Sequence, residues 1–345
     1  MLFTYQSQFA SNKLQAWLSN GLKSGLLFTA LSTIGCSLSH AQPQVYPNKP
    51  IRIVVPFPAG GATDALARVL AEKMSPRMGQ PVWVDNKPGA SGNLGTDLVA
   101  KSPADGHTVV LGLTGSLLVN QFLFDKMPYD PRKDLSLVSL IAVAPIVLVA
   151  HPSLTPNNAT ELTAYVKANK GKLNYGSWGV GSTAHMAGAY MSQTQNGDMT
   201  HVPYKGEAPM IQDLIGGQIN MAYSSLLVAK PQIDAGKIKA IGVTGERRMS
   251  AMPSVPTLSE QGLKDDTYRV TGWLAMAAPA GTPRAVVLRI SEEIRLACQL
   301  ADVQARITAM GFEPSCNTPA EFAAVYARDL PVWENLAKQS GAKLE

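Results

Sequence analysis

Acidic residues are missing from the start of the chain: no Asp or Glu precedes Asp64. Charge is thin throughout, with 16% Asp, Glu, Lys and Arg against about 25% in an ordinary soluble domain. Hydrophobic residues make up 46%, which excludes a disordered chain, since such chains hold too little apolar surface to offset conformational entropy. The net charge of +5 is not gathered into a basic cluster, which excludes an electrostatic track for nucleic acid. Three cysteines, 29 glycines and 24 prolines fit neither a disulfide framework, a collagen repeat nor a coiled coil. The longest apolar run after the leader, 140–150, is interrupted by Pro145 and falls short of the roughly 20 residues of a membrane helix. No G-x-S-x-G elbow, H-E-x-x-H pair or P-loop occurs. His107, His151, His185 and His201 are scattered without metal-ligand spacing, so neither a metal site nor a cofactor is expected.

What is present begins with a leader. Lys13 and Lys23 precede an apolar run over 25–38, followed by Ser39-His40-Ala41. A basic segment, a short apolar segment and a small-x-small signal predict a secretory signal peptide over 1–41, cut after Ala41. A buried N-terminal helix is the weaker reading, because the linker Gln42-Pro43-Gln44 follows. The basic segment is long, which implies a start codon downstream of Met1. Cys36 follows Thr33-Ile34-Gly35, loosely like a lipoprotein box, but Thr33 stands where such boxes carry Leu. Cleavage leaves Cys298 and Cys316, which in an oxidising compartment either pair or stay as two buried thiols.

The 345 residues are enough for about two domains. Residues 51–55 are a continuous β-branched run, expected as a buried strand, with a loop over 56–63 and an amphipathic helix over 64–74. Strand 82–84, a Gly-rich loop at 88–92, a short helix near 95–101 and strand 107–111 follow. Beyond Pro145 the pattern restarts: helix 160–170, strand 173–176, helix 182–195, strand 200–203, helix 208–215, strand 218–222, helix 226–235 and strand 238–244. The tail reads as helical over 283–300, 303–310 and 318–338. Such alternation predicts an α/β fold of parallel sheets flanked by helices, in two lobes that the chain crosses between more than once.

Two Gly-rich strand-to-helix loops stand out, 56–64 and 176–183. Each is expected to leave N–H groups free at a helix N-terminus, where the dipole also favours negative charge. Ser177, Ser182 and Thr183 add hydroxyls, and the glycines allow close approach of a ligand. One loop per lobe makes an anion clamp; the competing reading is two ordinary βα turns. Asp64 is awkward in a clamp: it either interacts with its own helix N-terminus or accepts a hydrogen bond from a ligand or bridging water. Phe57 and Trp178 read as packing residues or pocket walls, His185 as structural, and Lys205 as solvated. Gly179-Val180-Gly181-Ser182-Thr183-Ala184 imitates a dinucleotide fingerprint, but Asp198 precedes strand 200–203 instead of ending it.

Further segments carry a resemblance. Tyr46-Pro47-Asn48-Lys49-Pro50-Ile51, Val55-Pro56-Phe57-Pro58-Ala59-Gly60-Gly61, Asp85-Asn86-Lys87-Pro88-Gly89-Ala90 and Pro103-Ala104-Asp105-Gly106-His107-Thr108 occur in this order. Met127-Pro128-Tyr129-Asp130-Pro131, the 176–182 loop, Val202-Pro203-Tyr204-Lys205-Gly206 and Val255-Pro256-Thr257 continue it. On these the chain resembles the substrate-binding proteins of tripartite tricarboxylate transporters, the Bug family. The resemblance implies a two-lobed, type II-like Venus-flytrap periplasmic binding protein, each lobe a β-sheet flanked by helices. Lobe 1 is expected at 45–143 plus 275–345 and lobe 2 at 144–274. It implies a non-catalytic monomer in the periplasm whose partners are a small organic acid and membrane permease subunits, with no nucleic acid. The ligand carboxylate is implied to meet Ala59, Gly60, Gly61 and Asp64 on one side and Ser177, Gly179, Gly181, Ser182 and Thr183 on the other, partly through waters. Gly115-Ser116-Leu117-Leu118 departs from the polar Gly-Thr-His-type segment of relatives before the position of Asn120, which makes the distal pocket more apolar. The rival readings are a ligand-loaded sensor for a signalling partner, and an exported enzyme using Asp64 or His185 as acid or base.

Overall fold

The β-branched run becomes strand β1 (Ile51–Val55) because both of its faces are covered. Ile51, Ile53 and Val55 enter one hydrophobic core and Val54 the opposite one, so the sequence shows no polar alternation. In this computed structural model residues 46–344 are described; the expected leader, its cleavage site at Ala41 and Cys36 lie outside them. After helix α1 (Ala62–Met78), strand β2 (Val82–Asn86) and helix α2 (Asn93–Ala100) lead to β3 (Thr108–Leu113). Both β2 and β3 pair with β1 in parallel. A π-helical turn, Gly115–Val119, and helix α3 (Asn120–Leu123) then lead to β4 (Leu135–Ala144).

Pro145 marks the passage into a second sheet. β4 pairs within the first sheet, whereas β5 (Ile146–Ala150) pairs within the second. Proline has no N–H to give a ladder, so the apolar run 140–150 is divided there between two sheets. The chain continues through α4 (Ala159–Ala168), β6 (Asn174–Ser177), α5 (Thr183–Thr194), β7 (Thr200–Pro203), α6 (Glu207–Ile215), β8 (Met221–Ser225), α7 (Leu226–Asp234) and β9 (Lys239–Val243). The second sheet has the order β7-β6-β8-β5-β9. Leu148 and Tyr175 face one of its cores, Val147 and Val149 the other.

The chain returns through α8 (Asp266–Arg269) to β10 (Gly272–Pro279), which lies between β3 and β4. Then come α9 (Arg284–Cys298), α10 (Ala301–Ala309), β11 (Glu313–Pro314) and α11 (Pro319–Ser340), completing a first sheet ordered β11-β4-β10-β3-β1-β2. The result is two α/β sheets, each flanked by helices, in two lobes. The expectation of parallel sheets needs correction: β5 runs antiparallel to β8 and β9, and β10 antiparallel to β3 and β4. These strands arrive directly from the other lobe, without a crossover helix to turn them into the parallel sense.

Two features tie distant segments together. Cys298 at the end of α9 is bonded to Cys316, so of the two open alternatives the pair is the one present. Closing a loop of 18 residues in this way contributes on the order of 3 kcal/mol by restricting the unfolded chain. Helix α11 starts on a reciprocal cap between Thr318 and Glu321. It packs on β4 and on Trp273 through Phe322 and Tyr326, and it also runs against α5 of the second lobe.

Candidate functional site

Parallel strands deliver their carboxyl ends, and the loops after them, to one edge of a sheet. In the first lobe that edge carries residues 56–61 after β1, 87–92 after β2 and the turn Gly115–Val119 after β3. In the second it carries 178–182 after β6, 204–206 after β7 and the start of α7 after β8. Ligands of open α/β sheets lie in the crevice at such edges. The second edge touches the first lobe at Gly181. A Cβ placed on Gly181 would stand 2.9 Å from Leu123 Cδ1 and 3.1 Å from Leu344 Cδ1, both in the first lobe. The turn Gly115–Val119 in turn lies near the first loop, since a Cβ placed on Gly92 would stand 3.0 Å from Ser116 Cβ and 3.1 Å from Phe57 Cζ.

The first loop is organised by Asp64. Its carboxylate is buried and accepts from Gly60 N–H at 2.9 Å and Arg68 Nε at 3.0 Å on Oδ2, and from Asn86 Nδ2 at 3.1 Å on Oδ1. Asn86 also donates to the Phe57 carbonyl at 3.1 Å, which holds the far end of the loop. Burial pushes the Asp64 carboxyl up, but the donors from Arg68, Gly60 and Asn86 together outweigh it and hold the group below the ordinary carboxylate value. Of the two readings left open for Asp64, the local one is what the structure shows: it folds its own helix entrance. The Gly60 N–H, expected to be free, is thereby consumed. Gly60 has φ +84°, which permits the chain reversal that brings its N–H to the carboxylate. Ala59, Gly60 and Gly61 are exposed, and the amides of Gly61, Ala62 and Thr63 have no acceptor among the described residues.

The second loop has no carboxylate. Ser177 is fully buried, its Oγ lies 2.7 Å from His201 Nε2 and 3.0 Å from the Gly179 carbonyl, and it accepts from Gly179 N–H at 3.3 Å. Ser182 caps α5, its Oγ accepting from His185 N–H at 3.2 Å, while Gly181 N–H donates to His185 Nδ1 at 3.1 Å. The Ser177 hydroxyl and the Gly181 N–H are therefore spent within the protein, whereas Ser182 Oγ only accepts from His185 N–H and its own O–H has no acceptor among the described residues. Also without an acceptor among the described residues are the amides of Val180, Thr183 and Ala184. Trp178 is half-buried and packs on both cores of its lobe, and Lys205 is exposed.

Sequence reasoning missed two residues at this edge. His201 carries no motif; only the pairing of β6 with β7 sets it beside Ser177. Glu207, first residue of α6, bridges to β8 by accepting from Ser225 N–H at 3.1 Å and from the Ser225 hydroxyl, and burial pushes its carboxyl up. Leu117 and Leu118 of the distal segment are buried in a core of the first lobe, and Asn120 donates to Asn93 Oδ1 at 2.7 Å. A cavity of about 850 Å³ lies elsewhere, between α7 and α10, and includes none of these loop residues. It is lined mainly by apolar groups, and its one lysine, Lys230, is paired with Asp234 at 2.8 Å. It therefore offers no donor cluster for an anion.

The chemistry available is binding by backbone dipoles. The groups proposed for acid–base work are committed: Asp64 is satisfied by three donors, and His185 Nδ1 by Gly181. The Ser177–His201 contact is no hydrolytic dyad, since the hydroxyl is fully buried and no acid orients the imidazole among the described residues.

Residues 66–341 match the tripartite tricarboxylate transporter family receptor, TctC. The chain belongs to this family. BugT of Bordetella pertussis is 33% identical over 320 residues, covering 92% of this chain and 97% of BugT. Among solved structures, a protein of R. palustris with adipate is similar with a TM-score of 0.74 and 33% identity, covering 87% of this chain and 100% of that one. MatC from Rhodopseudomonas palustris with bound malate is similar at a TM-score of 0.70 and 31% identity, covering 85% of this chain and 100% of MatC. The TctC receptor is thus a Bug-type solute-binding protein, and these two relatives hold dicarboxylates.

Proposed function

We propose that this TctC receptor is a periplasmic protein that captures a small carboxylate-bearing ligand between its lobes and presents it to permease subunits of a tripartite tricarboxylate-type transporter. What supports this reading is that helices α1 and α5 each begin at the carboxyl-end edge of their own sheet with first-turn amides that have no acceptor among the described residues. Such termini stabilise an anion by aligned N–H groups and by the helix dipole, without a dedicated cation. Adipate and malate in the R. palustris relatives give the ligand class.

The site is assigned to Ala59, Gly60, Gly61 and Asp64 with Ser177, Gly179, Gly181, Ser182 and Thr183, in two roles. Gly61, Thr183 and their neighbours offer amides, while Asp64, Gly60, Ser177, Gly181 and Ser182 hold the loops in shape. The lobes are assigned to 45–143 plus 275–345 and to 144–274, within the few residues by which β4 and β10 overrun those limits. The protein acts as a monomer without catalysis, and closure of the lobes reports occupancy to the membrane partner.

The test is to purify the protein from its native source and identify the copurifying acid by native mass spectrometry. Calorimetry then compares that acid with its primary amide. Charged hydrogen bonds contribute roughly 1.5–3 kcal/mol each, so the amide binds at least about tenfold more weakly. Equal affinity for acid and amide would reject the reading.

A further inference from the structure

The second loop is held by a device that its sequence does not announce. His185 projects from α5 and His201 from β7, and their rings stack with centroids 3.9 Å apart and planes within 9°. Tyr175 of β6, paired across the strands with His201, also stacks with it at 5.0 Å and 22°. Each imidazole holds a different end of the loop: His201 Nε2 meets Ser177 Oγ at 2.7 Å, and His185 Nδ1 accepts Gly181 N–H at 3.1 Å. We propose that the stacked pair His185–His201 is the positioning element of the 177–183 loop, clamping both of its ends so that its remaining amides stay aimed at the crevice. The importance of this for capture rests on the reading of that loop as part of the ligand clasp; the brace itself does not.

The hydrogen bonds fix the charge state in which the brace operates. Because Gly181 donates to His185 Nδ1, that nitrogen carries no proton, and the ring proton sits on Nε2. A second proton would arrive at Nδ1 and remove the acceptor of Gly181. A proton on His201 keeps a donor toward Ser177 but sets a cation face to face with its neighbour. Burial lowers the affinity of His185 for a proton, and burial together with His185 pushes His201 down to about 4.

The surroundings offer no compensating anion. From β6 the pair faces Tyr175, and behind it from β8 Tyr223; burial pushes both phenols up, so both stay neutral. Across α5, Tyr190 gives its hydroxyl to Asp265, at the start of α8. On α11, which runs along α5, Lys338 is paired with Glu334 at 2.7 Å. Among the described residues no carboxylate pairs with either imidazole. The brace is thus a neutral, aromatic one, and acid opens it: below the ordinary histidine value the released loop binds protons that the braced loop refuses.

The test compares two replacements of one ring in the protein without added ligand. Asn carries its amide oxygen close to where Nδ1 stood, so His185→Asn keeps the acceptor and loses the ring. His185→Phe keeps a flat ring in the stack and loses the acceptor. Amide hydrogen exchange read by NMR is expected to show Gly181 exchanging about tenfold faster in His185→Phe than in the parent, with His185→Asn near the parent. Thermal melts are expected to rank the two variants in the opposite order, since packing follows the ring. In the parent, Gly181 exchange corrected for its intrinsic rate rises as pH falls from 6.5 toward 4, and in His185→Asn that rise is much smaller. Equal Gly181 exchange in all three proteins, or both rings titrating near 6.5 in the parent, overturns the brace. These readouts involve no acid ligand, so a protein that fails to bind carboxylates would overturn the proposed function and leave this result standing.

Discussion

The two site loops solve the same geometric problem with opposite chemistry. Both follow a parallel strand, reverse through glycine and enter a helix, yet the first is gathered round the buried anion of Asp64 and the second round two neutral imidazoles. An anion beside a helix terminus works against the anion-binding role proposed for it. Its charge is countered by Arg68 on the same helix and by two neutral donors, and the amides of Gly61 to Thr63 stay without an acceptor among the described residues. The stacked pair adds no charge at all. A loop can therefore be rigid and still attract an anion, either by neutralising its support or by making the support uncharged.

The largest test of this contrast is Asp64→Ala, which leaves three donors without an acceptor and is expected to lower unfolding free energy by roughly 2–4 kcal/mol in urea titrations. Asp64→Asn, which keeps one oxygen for Gly60 N–H, is expected to lose less. No loss in Asp64→Asn, which removes the charge and keeps an acceptor, would break the view that charge organises the first loop.

Next come the glycines. Gly60 and Gly181 both have positive φ, but a Cβ at Gly60 meets nothing within 4 Å whereas one at Gly181 meets Leu123 and Leu344 of the other lobe. Gly60→Ala is expected to cost about 1 kcal/mol of backbone strain, and Gly181→Ala roughly twice that. Small-angle scattering should then show a larger radius of gyration for Gly181→Ala alone, since its clash lies between lobes. Similar profiles for both variants would dissolve the distinction.

Ser177→Ala removes one buried hydroxyl and is expected to cost about 1 kcal/mol, read by thermal melts at neutral pH. Its effect should shrink in the His201→Phe background, because the two share one contact; strict additivity of the pair would argue that they act separately.

The smallest effect is the separation of the loops by pH. The folded histidines hold fewer protons than the unfolded chain, so their contribution is present above pH 6.5 and is lost as pH falls toward 4. Asp64, held below its ordinary value of 3.8, keeps its contribution down to that pH and loses it only further into acid. In an NMR titration the Gly181 amide is expected to shift first and the Gly60 amide afterwards. The reverse order would contradict both supports at once.

The α/β alternation and both site loops were legible in the chain because each is a local pattern: a β-branched run, a Gly-rich turn, then apolar spacing of a helix. Strand β7 lies where its sequence places it, at Thr200–Pro203. The run of motifs from Tyr46 to Val255 likewise pointed to the TctC/Bug receptors without any coordinates. Strands β4, β5 and β10 escaped, because residues buried on both faces leave no alternation to read. The antiparallel sense of β5 and β10 follows from which lobe the chain comes from, a long-range property.

The division within the site has the same physical cause. Composition and spacing determined that glycines, hydroxyls and helix N-termini gather at two strand ends. Which N–H groups remain available was decided only by partners distant in sequence or hidden in the fold: Asn86 beside Asp64, His201 beside Ser177, Leu123 and Leu344 against Gly181. A hydrogen bond is directional and a donor can be spent once, so the identity of a residue fixes what it can offer, and the packing of the two sheets fixes to whom.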